Sequence, residues 1–589
     1  MQHSRIVAAT EALLLNLGFG LAMVGCGGTP SHPVEPGQRA SGRHDGAAAG
    51  PQRLDPPSLP GAMAPRLAAD GDALLATWIE PVENLAVATP SIHRVRFARL
   101  LHDEWSEPAT IAEGDDFFVN WADFPAIVRS GDGSLYAHWL QKSGSGTYAY
   151  DIMLARSADA GATWEPLGPL NDDGTETEHG FVSFVPEPSG VRAFWLDGRK
   201  MGGGGDMALM TAHVDVRPGP AELLDGRTCE CCQTAAAATP SGFIVAYRDR
   251  SAGEVRDIHV VRGARGSWSE PSVVHADGWE VPGCPVNGAA MDAAGHSVVT
   301  VWPTAAGNRP VVLAAFSEDG GESYGEPIEI DTEGPLGRVA VVLLPGGRAV
   351  FAWMGMDGNE AVIRLRSAAP DGRTGPAIDI ARSSGSRSSG FPQLALTGRG
   401  LYIAWTETGD PSTIRAMKLT EPPLEDAGGD AADPEASAVA LRGWDRRPGS
   451  LSPDFTGEDL DGRKVTFEEM RGRPWLLNLW ATWCAPCREE MPDLIALHEA
   501  HREGGFQVVG LSVDEPGEVV SVRSFVAEKG MTYPVLVDPG GRATALFGVS
   551  ALPASFLFDR KGVLLWKSYG LVKSDDPAFR EALARALEP

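Results

Sequence analysis

A short run of apolar residues that ends in an aromatic residue recurs through the first two thirds of the chain. It occurs seven times, with the aromatics at Trp78, Trp139, Trp195, Tyr247, Trp302, Trp353 and Trp405. Successive aromatics are 61, 56, 52, 55, 51 and 52 residues apart. A second phrase, Glu-Pro or Gly-Pro after a turn, alternates with the first, with its prolines at Pro108, Pro166, Pro220, Pro271, Pro327, Pro376 and Pro422. Two interleaved markers that share one period indicate an internal repeat.

Each repeat predicts a few short antiparallel strands. Apolar and polar residues alternate at a period of two, and turns rich in Gly and Asp separate the runs. Repeats of this kind form propeller blades, which bury their faces only against neighbouring blades. We therefore predict an all-β propeller over residues 62–422, with seven blades favoured and six as the alternative. The last repeat is short, and a strand from residues 52–60 is a candidate to complete it and close the ring.

Two turns of the repeat share one motif, S-A-D-A-G-A-T-W and S-E-D-G-G-E-S-Y. It resembles the Asp-box (BNR repeat) of sialidase-like propellers, in which the Asp accepts backbone N–H bonds and the Gly takes a positive φ. Such boxes are structural, so the resemblance implies a fold rather than an activity. The matching residues are Ser157, Asp159, Gly161 and Trp164 in the first turn, and Ser317, Asp319, Gly321 and Tyr324 in the second.

Sialidase activity would require further groups that the sequence does not offer. A sialidase needs an arginine cluster, a Tyr–Glu pair and an acidic Asp, and the nearest match to its first arginine motif is Arg66 in Pro-Arg-Leu. None of the other groups can be assigned. A glycan-binding or glycan-hydrolysing propeller is therefore the alternative hypothesis, not the leading one.

The net charge limits the class of binding partner, and the cysteines fall into three groups along the chain. A formal charge of −28 argues against nucleic acid as a partner. Seven cysteines are present: Cys26 stands alone, four lie in the middle of the chain and two lie near its end.

The first 26 residues predict an exported protein. One basic residue precedes an apolar stretch that ends M-V-G-C, which resembles the lipobox of a lipoprotein signal peptide, with Cys26 as the lipidated residue. The resemblance implies a protein of the periplasm or cell envelope, anchored to the membrane by lipid, with the outer membrane favoured because Gly27 follows the Cys. Residues 27–61 are rich in Gly, Pro, Ala and Ser and predict a flexible tether. An uncleaved or mis-started terminus is the alternative.

The four middle cysteines are Cys229, Cys231, Cys232 and Cys284. The first and last are 55 residues apart, which is one repeat, so we expect all four to meet on adjacent blades. Two structural disulfides, a copper or zinc site, and a redox-labile pair serviced by another thiol are three hypotheses that remain open. No C-x-x-C-H sequence is present, which excludes covalent c-type haem on this chain.

A different pattern follows the acidic linker at residues 423–450. Residues 451–589 predict, in order, a buried strand, a helix that starts in W-C-A-P-C, a second strand, a second helix, a third strand and a strand hairpin. This order predicts an α/β thioredoxin fold. Because a linker separates it from the propeller, we expect the two domains to unfold independently.

The C-terminal domain resembles the TlpA/ResA-like thiol-disulfide oxidoreductases. Cys484 and Cys487 form the C-x-x-C motif, Trp483 precedes it, and Pro553 matches the family's cis-proline, which faces these cysteines and helps to dock the partner's chain. Asn478 stands where cytoplasmic thioredoxins carry a buried Asp. Cys484 begins a helix, where the helix dipole favours a thiolate. The resemblance implies that Cys484 attacks a disulfide and that Cys487 resolves the mixed disulfide.

The leading hypothesis is therefore an extracytoplasmic thiol-disulfide oxidoreductase. The expected substrates are disulfides of a partner protein, disulfides of its own propeller, or metal-binding cysteines. The expected donor of electrons is a membrane protein. The thiol chemistry requires no cofactor, whereas the propeller cysteines are candidate ligands for copper or zinc.

Overall fold

The structure is a computed structural model that describes residues 51–82, 92–264, 266–358, 360–421, 446–514, 518–538, 541–549 and 551–588. The predicted signal peptide with Cys26, most of the predicted tether and most of the predicted linker lie outside these residues.

Seven antiparallel sheets form the N-terminal domain. The strands of the first half are β1 (Gln52–Arg53), β2 (Met63–Asp70), β3 (Ala73–Pro81), β4 (His93–Leu101), β5 (Glu104–Trp105), β6 (Ala109–Gly114), β7 (Ala126–Arg129), β8 (Leu135–Lys142), β9 (Tyr150–Ser157), β10 (Glu165–Pro169), β11 (His179–Pro186), β12 (Val191–Asp197), β13 (Ala208–Val214) and β14 (Glu222–Asp225). Those of the second half are β15 (Ala235–Thr239), β16 (Gly242–Arg248), β17 (Ile258–Ala264), β18 (Ser267–Trp268), β19 (Ser272–Val273), β20 (Ala290–Ala294), β21 (Ser297–Thr304), β22 (Val311–Ser317), β23 (Ile328–Asp331), β24 (Gly337–Leu343), β25 (Ala349–Asp357), β26 (Glu360–Ala368), β27 (Ile378–Ser383), β28 (Gln393–Thr397), β29 (Gly400–Glu407) and β30 (Thr413–Leu419).

The seven sheets close into a ring, which confirms the seven-bladed propeller. The innermost strands β2, β7, β11, β15, β20, β24 and β28 each contact the next, and β28 contacts β2. In the seventh blade β1 pairs with β30, so the start of the domain completes its last sheet. This strand confirms the prediction that residues 52–60 complete the short last repeat, and it lies at the end of the stretch predicted as tether.

The repeating aromatics occupy the second strand of every blade. All seven are buried, and five of them are fully so: Trp78, Trp195, Tyr247, Trp302 and Trp353. Trp78, for example, packs with Tyr402 of the seventh blade. The repeat in the sequence therefore reflects the packing of one blade against the next.

The two Asp-box-like turns connect the outer strands of the second and fifth blades. In the first, the Ser157 hydroxyl accepts a bond from the Gly161 N–H at 2.8 Å, and Asp159 accepts one from the Thr163 N–H at 2.8 Å. The second turn repeats the first bond at 2.9 Å, from Gly321 to Ser317. Both glycines have positive φ, 92° and 85°, which favours glycine at these positions.

The C-terminal domain is a seven-stranded mixed sheet with helices, which confirms the thioredoxin fold. Its strands are β31 (Thr456–Asp459), β32 (Lys464–Thr466), β33 (Trp475–Trp480), β34 (Gln507–Ser512), β35 (Val535–Val537), β36 (Ala554–Phe558) and β37 (Leu564–Tyr569), in the order β32-β31-β35-β34-β33-β36-β37. Its helices are α1 (Ala485–His501), α2 (Val519–Lys529), α3 (Arg542–Leu546) and α4 (Pro577–Leu587). Among the described helices none is long and apolar enough to cross a bilayer.

The propeller and the thioredoxin-fold domain pack against each other. Both belong to one compact unit, Ala49–Pro589. Trp279, Val281 and Ala305 of the propeller are part of the hydrophobic core that the thioredoxin-fold domain builds around α1. Thr544 of α3 donates its hydroxyl to the Gly385 carbonyl at 2.8 Å. The two domains therefore share part of one hydrophobic core, and their independent unfolding stays a prediction that these contacts would oppose.

Candidate active site between the two domains

The C-x-x-C motif lies at the start of α1. Cys484 is the N-cap residue of this helix, and its sulfur accepts the Cys487 N–H at 3.2 Å. The two cysteines form a disulfide, and both side chains are fully buried. The end of β33 brings the chain to this position, since the helix begins five residues after Trp480.

The loop before β36 lies at the same edge of the sheet. Because β33 and β36 are antiparallel, with Leu479 opposite Ala554, the end of β33 adjoins the start of β36. Pro553 immediately precedes Ala554, and the Leu552–Pro553 peptide is cis. The structure thus brings Pro553 and the two cysteines together.

The propeller inserts one of its own cysteines against this loop. The Cys284 N–H donates to the Leu552 carbonyl at 2.8 Å, and the Leu552 N–H donates to the Cys284 carbonyl at 3.1 Å. The two residues therefore form an antiparallel β-bridge between the domains. Cys284 lies in the connection between the fourth and fifth blades.

The other three middle cysteines lie one blade connection earlier, between β14 and β15. The Cys229 sulfur is 3.1 Å from that of Cys232 and 3.9 Å from that of Cys231. The Cys231 thiol also interacts with the Cys284 thiol. The structure brings all four cysteines together from adjacent blade connections, and none of the four forms a disulfide.

A cavity of about 940 Å³ joins the cysteine cluster to the C-x-x-C motif, and we call it the chamber. Cys231 and Cys284 line it from the propeller, while Trp483, Ala485 and Pro486 line it from the thioredoxin-fold domain. It is the size of a small-ligand pocket.

Two propeller side chains hold Trp483 in the chamber wall. The Tyr148 hydroxyl donates to the Trp483 carbonyl at 2.5 Å. The Arg387 guanidinium lies 4.4 Å from the centre of the Trp483 ring, a cation–π distance. Neither residue was predicted, because no local motif indicates that a propeller loop reaches another domain.

One cysteine of the cluster is favoured as a thiolate. Burial opposes ionisation of Cys229, but the thiols of Cys231 and Cys232 and the Arg256 guanidinium hold its pKa well below the usual range. The Arg256 Nη1 donates to the Cys229 sulfur at 3.2 Å. Burial of Cys232 raises the pKa of its thiol.

Half-buried carboxyl groups, among them Glu178 and Glu230, line the chamber. Burial, with the nearby Glu230 and Asp123 carboxylates, raises the pKa of Glu178 to about 8, although the Tyr150 hydroxyl donates to it at 2.8 Å.

Arg66 lies outside the chamber: it lines the central channel of the ring and donates to Gln393 at 2.8 Å. The chamber wall therefore lacks the one arginine that the sequence matched to a sialidase.

The comparisons with known proteins concern the C-terminal domain. The AhpC/TSA family model matches residues 448–567. The thiol-disulfide oxidoreductase ResA of Bacillus thuringiensis (strain Al Hakam) is 35% identical over 122 residues, which are 21% of this chain and 69% of that one. ResA of Geobacillus thermodenitrificans (strain NG80-2) is 36% identical over 128 residues, 22% of this chain and 68% of that one. The chain belongs to the ResA family of thiol-disulfide oxidoreductases.

A solved structure also aligns with the chain. A crystal structure assigned as the thiol:disulfide interchange protein DsbE from Chlorobium tepidum is 31% identical, with 24% of this chain and 99% of that chain covered and a TM-score of 0.23. We refer below to residues 451–589 as the ResA-type domain.

The ResA-type domain has a buried acid that the sequence analysis missed. Glu490 lies one turn after Cys487 on α1, and its carboxylate accepts bonds from the Asn478 side chain at 2.6 Å and from the Val572 N–H at 2.9 Å. Burial raises its pKa to about 8. The spacing of three residues from Cys487 was the available signal, since such residues share one face of a helix. A carboxyl with this pKa can accept or release a proton near neutral pH.

The pKa of Glu490 predicts a pH-dependent stability. Between pH 4.5, its ordinary pKa, and about 8 the folded protein holds a proton that the unfolded chain releases, so the unfolding free energy falls as the pH rises. We expect Glu490→Gln to reduce this fall by about 1.4 kcal/mol per pH unit across that range. Denaturant titrations at pH 5 and pH 8 measure the difference. Glu489→Gln, an exposed position on the same helix, is the control. Equal pH slopes in the two variants would contradict the assignment.

Proposed function

We propose that this protein is an extracytoplasmic thiol-disulfide reductase whose ResA-type domain acts on the cysteines of its own propeller. The observation that carries the proposal is the β-bridge between Cys284 and Leu552. Leu552 precedes Pro553, and in the family this loop docks the chain that carries the partner's cysteine. Cys284 thus occupies the place of a substrate cysteine.

The reaction follows as two thiol–disulfide exchanges. The substrate is a disulfide that joins Cys284 to Cys231, the cluster thiol with which the Cys284 thiol interacts. The Cys484 thiolate attacks the Cys284 sulfur, which forms a mixed disulfide and releases Cys231 as a thiolate. Cys487 then attacks the Cys484 sulfur, which releases the Cys284 thiolate and leaves a Cys484–Cys487 disulfide. Two electrons pass from the ResA-type domain to the propeller, and an external thiol donor must restore them.

Burial of the C-x-x-C motif supports an internal substrate. Cys484 has no exposed surface in this arrangement, and the chamber connects the residues beside it with Cys231 and Cys284. A disulfide of another protein could not reach the Cys484 sulfur unless the propeller face moved away. A cysteine held in place by the same chain needs no diffusional encounter, which favours fast exchange.

The cellular setting forms part of the proposal. A membrane thiol donor would supply the electrons, and a lipid on Cys26 would anchor the protein to the envelope, with the outer membrane favoured. The lipobox-like sequence M-V-G-C and Gly27 support the anchor and its destination. An oxidising compartment is also where cysteines form disulfides that need a reductase.

The propeller itself serves, in this proposal, as a sialidase-like scaffold without glycosidase activity. The identical hydrogen bonds from Gly161 to Ser157 and from Gly321 to Ser317 support the Asp-box assignment. The scaffold's role is to hold two adjacent blade connections so that their cysteines face the ResA-type domain.

The experiment that tests the proposed reaction is capture of its intermediate. In Cys487→Ser the second exchange cannot occur, so the mixed disulfide between Cys484 and Cys284 should accumulate within single chains.

A further inference from the structure

Three cysteine sulfurs of the propeller lie close enough to bind one ion. The Sγ atoms of Cys229, Cys231 and Cys232 all lie within 4.8 Å of one another. Thiolates bound to one zinc ion at about 2.3 Å each are about 3.8 Å apart, so rotations of the side chains bring these sulfurs into ligand positions. The separation of 3.9 Å between Cys229 and Cys231 already has this size.

Nearby side chains restrict the donor set to sulfur. Glu230 is the carboxylate within the same loop, but its oxygens are held by the Arg250 and Arg256 guanidinium groups. Arg256 also donates to the Cys229 sulfur at 3.2 Å, so a positive charge lies beside the thiolates. Three sulfurs without a competing oxygen donor favour soft ions, above all copper(I).

The backbone of the fourth cysteine, Cys284, is held by the other domain, and its sulfur is not part of the three-sulfur group. Both backbone hydrogen bonds of Cys284 go to Leu552 of the ResA-type domain. Its sulfur does not lie within 4.8 Å of all three others. A structural zinc site almost always has four ligands, whereas three thiolates are a sufficient set for copper(I).

The site also has an entry path and a dry interior. Cys231 lines the chamber of about 940 Å³, while Cys229 and Cys232 are at most 1% exposed. An ion can therefore reach the sulfurs from the chamber and lose its water as it binds.

We propose that Cys229, Cys231 and Cys232 form a copper(I) site in the propeller. The site is a function beyond disulfide exchange, and it does not rest on the proposed reaction between the two domains. It requires the three cysteines as thiols, because a disulfide leaves no thiolate to bind the ion.

The test is a competition for copper(I) under anaerobic conditions. The reduced full-length chain is titrated against the coloured copper(I)–bicinchoninate complex, and loss of colour reports transfer to the protein. We expect one copper(I) ion per chain in the wild type and in the Cys484→Ser/Cys487→Ser double variant. Binding by the double variant separates this site from the ResA-type thiols and does not depend on their exchange.

Single variants locate the ligands. Cys232→Ser removes one of the three ligands and is expected to weaken the copper(I) affinity by about 100-fold or more. Mutation of a residue that only supports a metal ligand already lowers the metal affinity by about 10–100-fold. Cys284→Ser is the matched control. Its copper(I) affinity is expected to lie within about threefold of that of the Cys484→Ser/Cys487→Ser variant. A loss in Cys284→Ser equal to that in Cys232→Ser would overturn the three-sulfur site.

X-ray absorption of the copper-loaded Cys484→Ser/Cys487→Ser variant gives an answer that does not depend on how the propeller cysteine variants fold. Three sulfur neighbours per copper are expected. Oxygen or nitrogen neighbours, absence of copper(I) transfer to the double variant, or retention of zinc but not of copper(I) would each overturn the proposal.

Discussion

Replacing Cys484 by serine is expected to leave the disulfide among the propeller cysteines. The fully reduced chain is treated with one equivalent of glutathione disulfide. In the wild type, internal exchange should move the resulting disulfide to Cys484–Cys487. In Cys484→Ser the attacking thiolate is missing, so transfer out of the propeller should slow by at least about 1000-fold, as when an enzyme loses its nucleophile. Acid quenching, alkylation and peptide mass spectrometry follow the position of the disulfide with time.

The control for this experiment is Cys26→Ser, which removes a cysteine outside both domains. It should transfer at the wild-type rate. Wild-type transfer in Cys484→Ser would show that the propeller cysteines exchange without the ResA-type domain, and it would contradict the assigned role of Cys484.

Replacing Gly283 by alanine is expected to undock Cys284 from the ResA-type domain. A Cβ atom at position 283 would lie 2.6 Å from the Leu552 carbonyl oxygen, which is closer than side-chain contacts allow. The loop must shift, and the two hydrogen bonds between Cys284 and Leu552 must lengthen or break. Because displacements of about 1 Å can slow a positioned reaction by about 100-fold, we expect internal transfer to slow by about 10–100-fold.

Gly226→Ala is the matched control for this change. A Cβ atom at Gly226 meets nothing within 4 Å. The transfer rate of Gly226→Ala should equal that of the wild type.

The Gly283→Ala chain should also expose its C-x-x-C motif, so reduction by an added thioredoxin should become faster than in the wild type. Unchanged rates in both assays would mean that the β-bridge does not position the reaction.

The fold was predictable because its signals are periodic or local. The seven aromatics recur once per blade, since each packs in the same layer of the ring. The thioredoxin fold was indicated by the W-C-A-P-C motif between a buried strand and a helix. The closing strand Gln52–Arg53 was predicted from the shortness of the last repeat, since two residues carry no period of their own.

The site was only partly predictable because its geometry is long-range. The spacing of one repeat between Cys229 and Cys284 indicated adjacent blade connections. Nothing in the sequence indicated that Cys284 would pair with Leu552, which lies 268 residues further along the chain. Arg256 and Tyr148 were missed for the same reason, as they act through tertiary contacts with Cys229 and Trp483. Glu490 was missed although its helical spacing from Cys487 was available.

The most direct test of the account is the identity of the disulfide captured in Cys487→Ser. The reduced variant is oxidised with one equivalent of glutathione disulfide at low protein concentration, quenched with alkylating reagent and digested for mass spectrometry. We predict a Cys484–Cys284 cross-link within single chains, at a yield that does not change with protein concentration, and its absence from Cys487→Ser/Cys284→Ser. A captured disulfide that joins two chains, or that joins Cys484 to glutathione alone, would contradict the claim that the ResA-type domain serves its own propeller.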